Sequence, residues 1–221
     1  MNYPSEIKQE QKSMCEQYGL DFEKVEDICS KIIPLFQKTI TELGLTPLGK
    51  EIVNGLKRGS DYLSEIVKIV SGKKLTPKQE SIVTLLTYLA ESEGVFSEVV
   101  QVIAFILIVN GHDIYDPQRM KFVKEYGDLD KVTLYIKLQF IEEHGFEYIA
   151  EIFDRELRNC IAHMQLIVKD DGIVQSITGK KIEKEELMKK LLRLSGISII
   201  LINIFRETRR TREPPFFGEK W

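Results

Sequence analysis

The residues of this chain best suited to chemistry fall within one short stretch, Asp154-Arg155-Glu156-Leu157-Arg158-Asn159-Cys160-Ile161-Ala162-His163. His163 has a side chain whose ordinary titration falls near neutral pH, so it can take or give a proton. Arg158 offers a planar cation that stays charged and bonds paired oxygens in a fork. Asn159 can both donate and accept, towards an imidazole or an anionic oxygen. A titratable base with a fixed cation and an amide suits transfer at a centre that gains negative charge on oxygen. The same residues allow a plainer reading. Asp154 precedes Arg158, and Glu151 precedes Arg155, at the i, i+4 spacing of surface ion pairs on a helix. A histidine in the last turn of a helix also complements the helix dipole without any reaction.

An arginine, a polar residue, three further residues and a histidine, here Arg158, Asn159 and His163, resemble the signature of the HEPN family. By motif the resemblance covers six residues, and by the order of elements it covers residues 76–206. It implies an all-α helical bundle and an endoribonuclease that works on single-stranded RNA without a metal or other cofactor. On that pattern a 2′-hydroxyl attacks its own phosphodiester, leaving a 2′,3′-cyclic phosphate and a 5′-hydroxyl. His163 would move the proton, Arg158 would support the phosphoryl oxygens, and Asn159 would hold the imidazole or a phosphate oxygen. Helix geometry adds a condition. Residues five apart on a regular helix point about 140° from each other. Arg158 and His163 therefore do not share a face unless the helix ends or unwinds near His163. The family meets this with a two-fold dimer, which implies a homodimer and a composite site here. A toxin or defence effector is the expected role. The alternative is a HEPN module without catalysis that binds nucleotide or RNA, or scaffolds a complex. HEPN toxins neutralised by a nucleotidyltransferase commonly carry a Tyr soon after the motif His. Met164, Gln165, Leu166 and Ile167 stand there instead. The sequence thus names no antitoxin or regulator.

Other polar residues interrupt apolar segments. Glu91, Ser92, Glu93 and Glu98 lie in a long apolar helix, where acids usually mark the solvent face. The HEPN resemblance favours Glu93 among them as a support for Arg158. His112 and His144 flank turns, and His112 has no second ligand at metal-binding spacing. Lys73, Lys74 and Lys78 read as a solvated turn. Arg206, Arg209, Arg210 and Arg212 precede Phe216, Phe217 and Trp221, a mixture suited to phosphate contact and base stacking. Glu207, Glu213 and Glu219 dilute that charge, and terminal aromatics also dock on partner subunits.

The elements that must position these residues are mostly helical in period. Residues 5–18 and 21–43 read as two helices divided at Gly19, with Pro34 predicting a kink or an earlier end. Gly44 closes this stretch, and Thr46 with Pro47 begins a helix reaching about Val70. Thr76, Pro77 and Gln79 form a strong start signal for a run to Asn110 and Gly111, with a bend expected at Gly94. A polar connector at 112–118 and a short helix at 119–126 are expected next. Helices at 128–143 and 146–163 follow. Around Asp170, Asp171 and Gly172 the composition becomes β-like, so one small hairpin is expected at about 164–177. The final helix spans 183–206, and 207–221 reads as an irregular tail. The expected architecture is a bundle over 76–206 with residues 1–72 as a helical extension packed on it.

Composition is that of an ordinary globular chain, with 221 residues, 43% hydrophobic and 29% charged, enough for a sizeable core. A formal net charge of −3 argues against a nonspecific nucleic-acid coat, although a local basic groove needs only local charge. Cys15, Cys29 and Cys160 show no CxxC pair and no metal spacing, as expected of reduced thiols in a cytoplasmic protein. The polar start shows no signal peptide. The apolar stretches 95–109 and 197–205 are interrupted by polar residues or too short to span a bilayer, so no membrane segment is expected.

Overall fold

Thr76 and Pro77 start the helix around which the rest of the chain is arranged. The Thr76 hydroxyl accepts from the Gln79 amide at 3.3 Å, and the Gln79 side chain accepts from the Thr76 amide at 2.9 Å. Two donors that no helical carbonyl could reach are thereby satisfied. The computed structural model describes residues 5–43, 61 and 63–210. Within them α1 (Ser5–Tyr18) and α2 (Phe22–Leu43) come first, and α2 runs through Pro34 without ending there. The helix expected from Thr46 and Pro47 lies mostly outside the described residues, apart from helical turns at 63–70.

From Thr76 the chain continues as α3 (Pro77–Glu91), a π turn (Ser92–Phe96) and α4 (Ser97–Val109). The bend expected at Gly94 is thus a widened turn inside a continuous helix. Pro77–Val109 is long and apolar enough to cross a bilayer, yet 67% of its most apolar window is buried within the fold. That is the pattern of a core helix. The last helix, α9 (Lys184–Arg210), lies alongside α3 and parallel to it, with Lys184 paired to Glu80 at the N-terminal ends. It extends beyond the expected end at 206, so Arg209 and Arg210 are helical rather than part of an irregular tail. α1 and α2 pack on the same helix. At Gly196 a Cβ would meet Tyr18 Cβ at 2.5 Å, so only glycine admits α1 this closely. Ile28, Ile32 and Phe36 of α2 join Phe205, Leu201 and Ile103 in one buried cluster.

Four expectations need correction. In place of a helix over 119–126 the chain forms a hairpin over 114–123, with β1 (Ile114–Asp116) pairing β2 (Lys121–Val123) in antiparallel register. The cause is Asp116, nearly fully buried, whose carboxylate accepts from the amides of Gln118 and Arg119 and from Arg119 Nε. Next come α5 (Tyr126–Leu129) and α6 (Leu134–Glu142), the latter capped by Thr133, in place of one helix over 128–143. The single helix expected over 146–163 is two, α7 (Glu147–Ile152) and α8 (Arg155–Ala162). Finally, the hairpin at 164–177 gains a strand. β3 (Leu166–Val168), β4 (Val174–Ser176) and β5 (Lys181–Ile182) form an antiparallel sheet in that order. Its Asp171-Gly172 turn docks on the start of α3, where Ser81 donates to the Gly172 carbonyl at 2.7 Å.

α8 ends in a left-handed cap. The Met164 amide bonds the Ile161 carbonyl and the Gln165 amide bonds the Cys160 carbonyl, with Met164 at φ 53°. Glycine normally fills that position because a Cβ is strained there. Met164→Gly is expected to raise unfolding stability by about 0.5–1 kcal/mol, read from chemical denaturation. An unchanged or lowered midpoint would show that Met164 is not strained.

Glu91 generates a pH prediction. Its side chain is buried between α3 and α9, with Ser198 as hydrogen-bond partner, and burial pushes its carboxyl up to about 7. The folded protein therefore holds this proton over a range where the unfolded chain has lost it. Stability from this group is full below the ordinary carboxylate pKa of about 4.5 and declines as pH rises towards 7. Glu91→Gln should flatten that decline and, above neutrality, exceed the native stability by about 1–2 kcal/mol. Parallel pH curves for the two proteins would exclude a buried, neutral Glu91.

Candidate active site

The break between α7 and α8 sets where the motif helix starts. Tyr88 is fully buried on α3, and its hydroxyl accepts the Asp154 amide at 3.0 Å. The Asp154 carboxylate caps α8 by accepting from the Leu157 amide at 2.8 Å and also pairs with Lys190 of α9 at 3.0 Å. Phe153, just before the cap, stacks on Phe96 of the π turn with centroids 5.4 Å apart. Leu157 is the one buried residue of α8. Leu157, the partly buried Ile161 and a doubly used aspartate thus fix the helix in place.

One turn into α8, Arg158 meets Glu93. Its Nε and Nη2 both donate to the same Glu93 carboxylate oxygen, and its Nη1 donates to Asn159 Oδ1 at 2.9 Å. The arginine side chain is 30% exposed and the glutamate 45%, so the pair sits at the surface and not in the core. Glu93 reaches it because it lies in the π turn, whose extra residue shifts side chains relative to an α-helix. Ser92 supports that turn by donating to the Tyr88 carbonyl at 2.7 Å. The structure therefore brings Arg158, Asn159 and Glu93 together.

It does not bring His163 to them. The His163 amide still bonds the Asn159 carbonyl at 3.0 Å, so the helix stays regular up to this residue. The imidazole is exposed at the C-terminal cap and has no side-chain hydrogen bond among the described residues. With a regular helix between them, Arg158 and His163 diverge by about 140° within one chain. The i, i+4 ion pairs suggested by spacing do not form. Glu151 pairs with Lys24 at 2.8 Å, Asp154 with Lys190, and Arg155 lies over the Tyr135 ring.

The remaining candidates separate by role. Glu98 accepts from the Tyr126 hydroxyl. Beside it lies a polar chain that the sequence did not suggest, in which Lys137 donates to Gln101 at 2.7 Å and Gln101 donates to Asp130 at 2.6 Å. Burial lowers the Lys137 pKa from the usual ammonium range. His112 does have a second histidine nearby, His144, in an edge contact with centroids 4.4 Å apart. His144 Nδ1 is spent on the Phe140 carbonyl at 2.6 Å, however, and among the described residues no cluster of three His, Cys, Asp or Glu could hold a metal ion. Lys78 pairs with Asp170 at 3.0 Å, while Lys73 and Lys74 are exposed. Arg206 and Arg209 stand in the last turns of α9, about 24 Å along it from Lys190 and so remote from the α8 cap. Arg212, Phe216, Phe217 and Trp221 lie outside the described residues.

Tyr88, Lys190 and Tyr135 are the site residues that sequence reasoning missed. Nothing local in the sequence sets these three apart, because their roles come from contacts with Asp154 and Arg155 that are distant along the chain. Asp154 did carry a signal, a capping residue ahead of Arg-Glu-Leu-Arg. No protein-family model, curated protein or solved structure matches this chain.

Proposed function

We propose that this protein is a HEPN-type endoribonuclease that cleaves single-stranded RNA without a metal, from a composite site in a homodimer. The reading is carried by one observation, Arg158 held by Glu93 and Asn159 on the same short surface helix that ends in an exposed His163. In the reaction the 2′-hydroxyl oxygen bonds to phosphorus as the bond from phosphorus to O5′ breaks. One imidazole takes the 2′-hydroxyl proton, and a protonated imidazole supplies one to O5′. Arg158 keeps N–H bonds directed away from Glu93 and Asn159, and these support the phosphoryl oxygens as charge develops.

The divergence of Arg158 and His163 favours a second copy. Ile82 and Leu86 stand at i, i+4 on one side of α3 and are exposed, and Glu93 follows in the π turn about two turns beyond Leu86. At matching heights on the parallel α9, Met188 and Leu192 are exposed as well. A two-fold contact over this apolar strip would run directly into Glu93 and Arg158 and set both motifs around one cleft.

Native protein incubated with labelled single-stranded RNA in EDTA is expected to yield 2′,3′-cyclic phosphate and 5′-hydroxyl ends. His163→Ala and Arg158→Ala should each slow cleavage by about a hundredfold or more. Should a folded, dimeric native protein bind varied RNAs and cleave none, a non-catalytic binding module is the better reading.

The dimer has its own test. Leu86→Glu combined with Leu192→Glu should give a folded monomer by sedimentation, with cleavage reduced at least about tenfold. A fully active monomer would refute the composite site.

A further inference from the structure

On α8, Arg155 makes no ion pair among the described residues, because its i−4 neighbour Glu151 is taken by Lys24. Its guanidinium instead lies over the ring of Tyr135, with Cζ 3.7 Å from the ring centroid. Tyr135 stands in the first turn of α6, which Thr133 caps, and its neighbours Leu134 and Lys137 pack inwards. The tyrosine ring is nevertheless 47% exposed, and Arg155 is exposed as well. A planar cation over an aromatic ring, both exposed at the surface, combines the two side-chain types on which unpaired bases stack. Around α8, Arg155 lies between the other two motif positions, about 60° from Arg158 on one side and about 80° from His163 on the other. Its Cβ is one turn from that of Arg158, about 5–6 Å, a distance on the scale of one nucleotide.

We propose that Tyr135 and Arg155 form a nucleobase-stacking subsite, seating a base of single-stranded RNA while its phosphate lies at Arg158. This deepens the ribonuclease reading and rests on it for the phosphate. Stacking on a tyrosine or a guanidinium plane accepts any base, so the subsite selects unpaired RNA rather than a sequence. In a duplex the bases are already stacked on each other and cannot reach the ring. Neither residue touches the reacting atoms, so both act by positioning.

Two measurements test this. The first is the fluorescence of a short single-stranded RNA carrying 2-aminopurine, which stacking quenches, titrated with His163→Ala protein to prevent turnover. The second is the steady-state kinetics of cleavage. Tyr135→Ala and Tyr135→Leu should each abolish most of the quenching and raise KM about tenfold with little change in kcat, while Tyr135→Trp should retain both. The leucine variant keeps apolar packing, so its melting temperature guards against a folding defect in the alanine variant. Quenching by the native ring and KM unchanged in Tyr135→Leu would overturn the subsite while leaving the ribonuclease reading intact. Quenching that depends on Tyr135, in a protein that cleaves no RNA, would support the subsite and refute the ribonuclease. Absence of any quenching by the tyrosine protein would overturn the subsite outright.

Discussion

Tyr88 has no exposed surface, so its hydroxyl needs a partner inside the protein, and it finds one in the backbone amide of Asp154 at 3.0 Å. That bond satisfies an amide left open where α7 stops, and it fixes the residue that must cap α8. The cap in turn orients the helix, because the Asp154 carboxylate accepts from Leu157 while pairing with Lys190. Every feature of the candidate site is measured from this point. Arg158 follows one turn later, facing the π turn, and His163 follows at the end, facing away.

The long helix Pro77–Val109 holds Glu91, Ser92, Glu93 and Glu98 within eight residues, and each has a different answer to being there. Glu91 is buried, and burial raises its carboxyl pKa, Ser92 bonds the carbonyl one turn back, Glu93 turns outwards to Arg158, and Glu98 takes the Tyr126 hydroxyl. A regular α-helix would place 91, 95 and 98 on one side, and the π turn breaks that sequence of faces. Glu91 and Glu93, two residues apart, point to opposite sides in any helix, so one carboxylate is inside and the other outside; the π turn shifts where the residues after it face.

Strong local signals in the sequence were enough to place the long elements. The capping box at Thr76 and the Asp171-Gly172 turn depend on neighbouring residues alone, and both appear where the chain says they should. What could not be read depends on contacts distant in sequence. Residues 119–126 have helical composition, yet Asp116 organises a turn there that also draws in Asp128 through Arg119. The break at Phe153 needs Phe96 and Tyr88 to be visible. The site was legible to the same degree. Arg158, Asn159 and Glu93 were singled out from the chain and meet in space, but the spacing of Glu151, Asp154, Arg155 and Arg158 suggested partners that distant residues displaced.

α8 buries only Leu157, and charged contacts to separate elements hold the rest of it: Asp154 to α9, Glu156 to Lys180 beside β5, and Arg158 to the π turn. Pairs this exposed contribute less than about 1 kcal/mol each, since water screens them and two long side chains must be ordered. The Arg158–Glu93 pair is therefore strong enough to choose a rotamer and weak enough to be exchanged. A phosphate arriving at Arg158 would replace a carboxylate with an anion of similar geometry at little cost, with Asn159 still holding one edge of the guanidinium. A buried ion pair in the same place would lock the arginine, because removing its partner would leave an uncompensated charge. Surface placement of the motif helix, which looks like weak anchoring from the standpoint of the core, is what an exchangeable arginine requires.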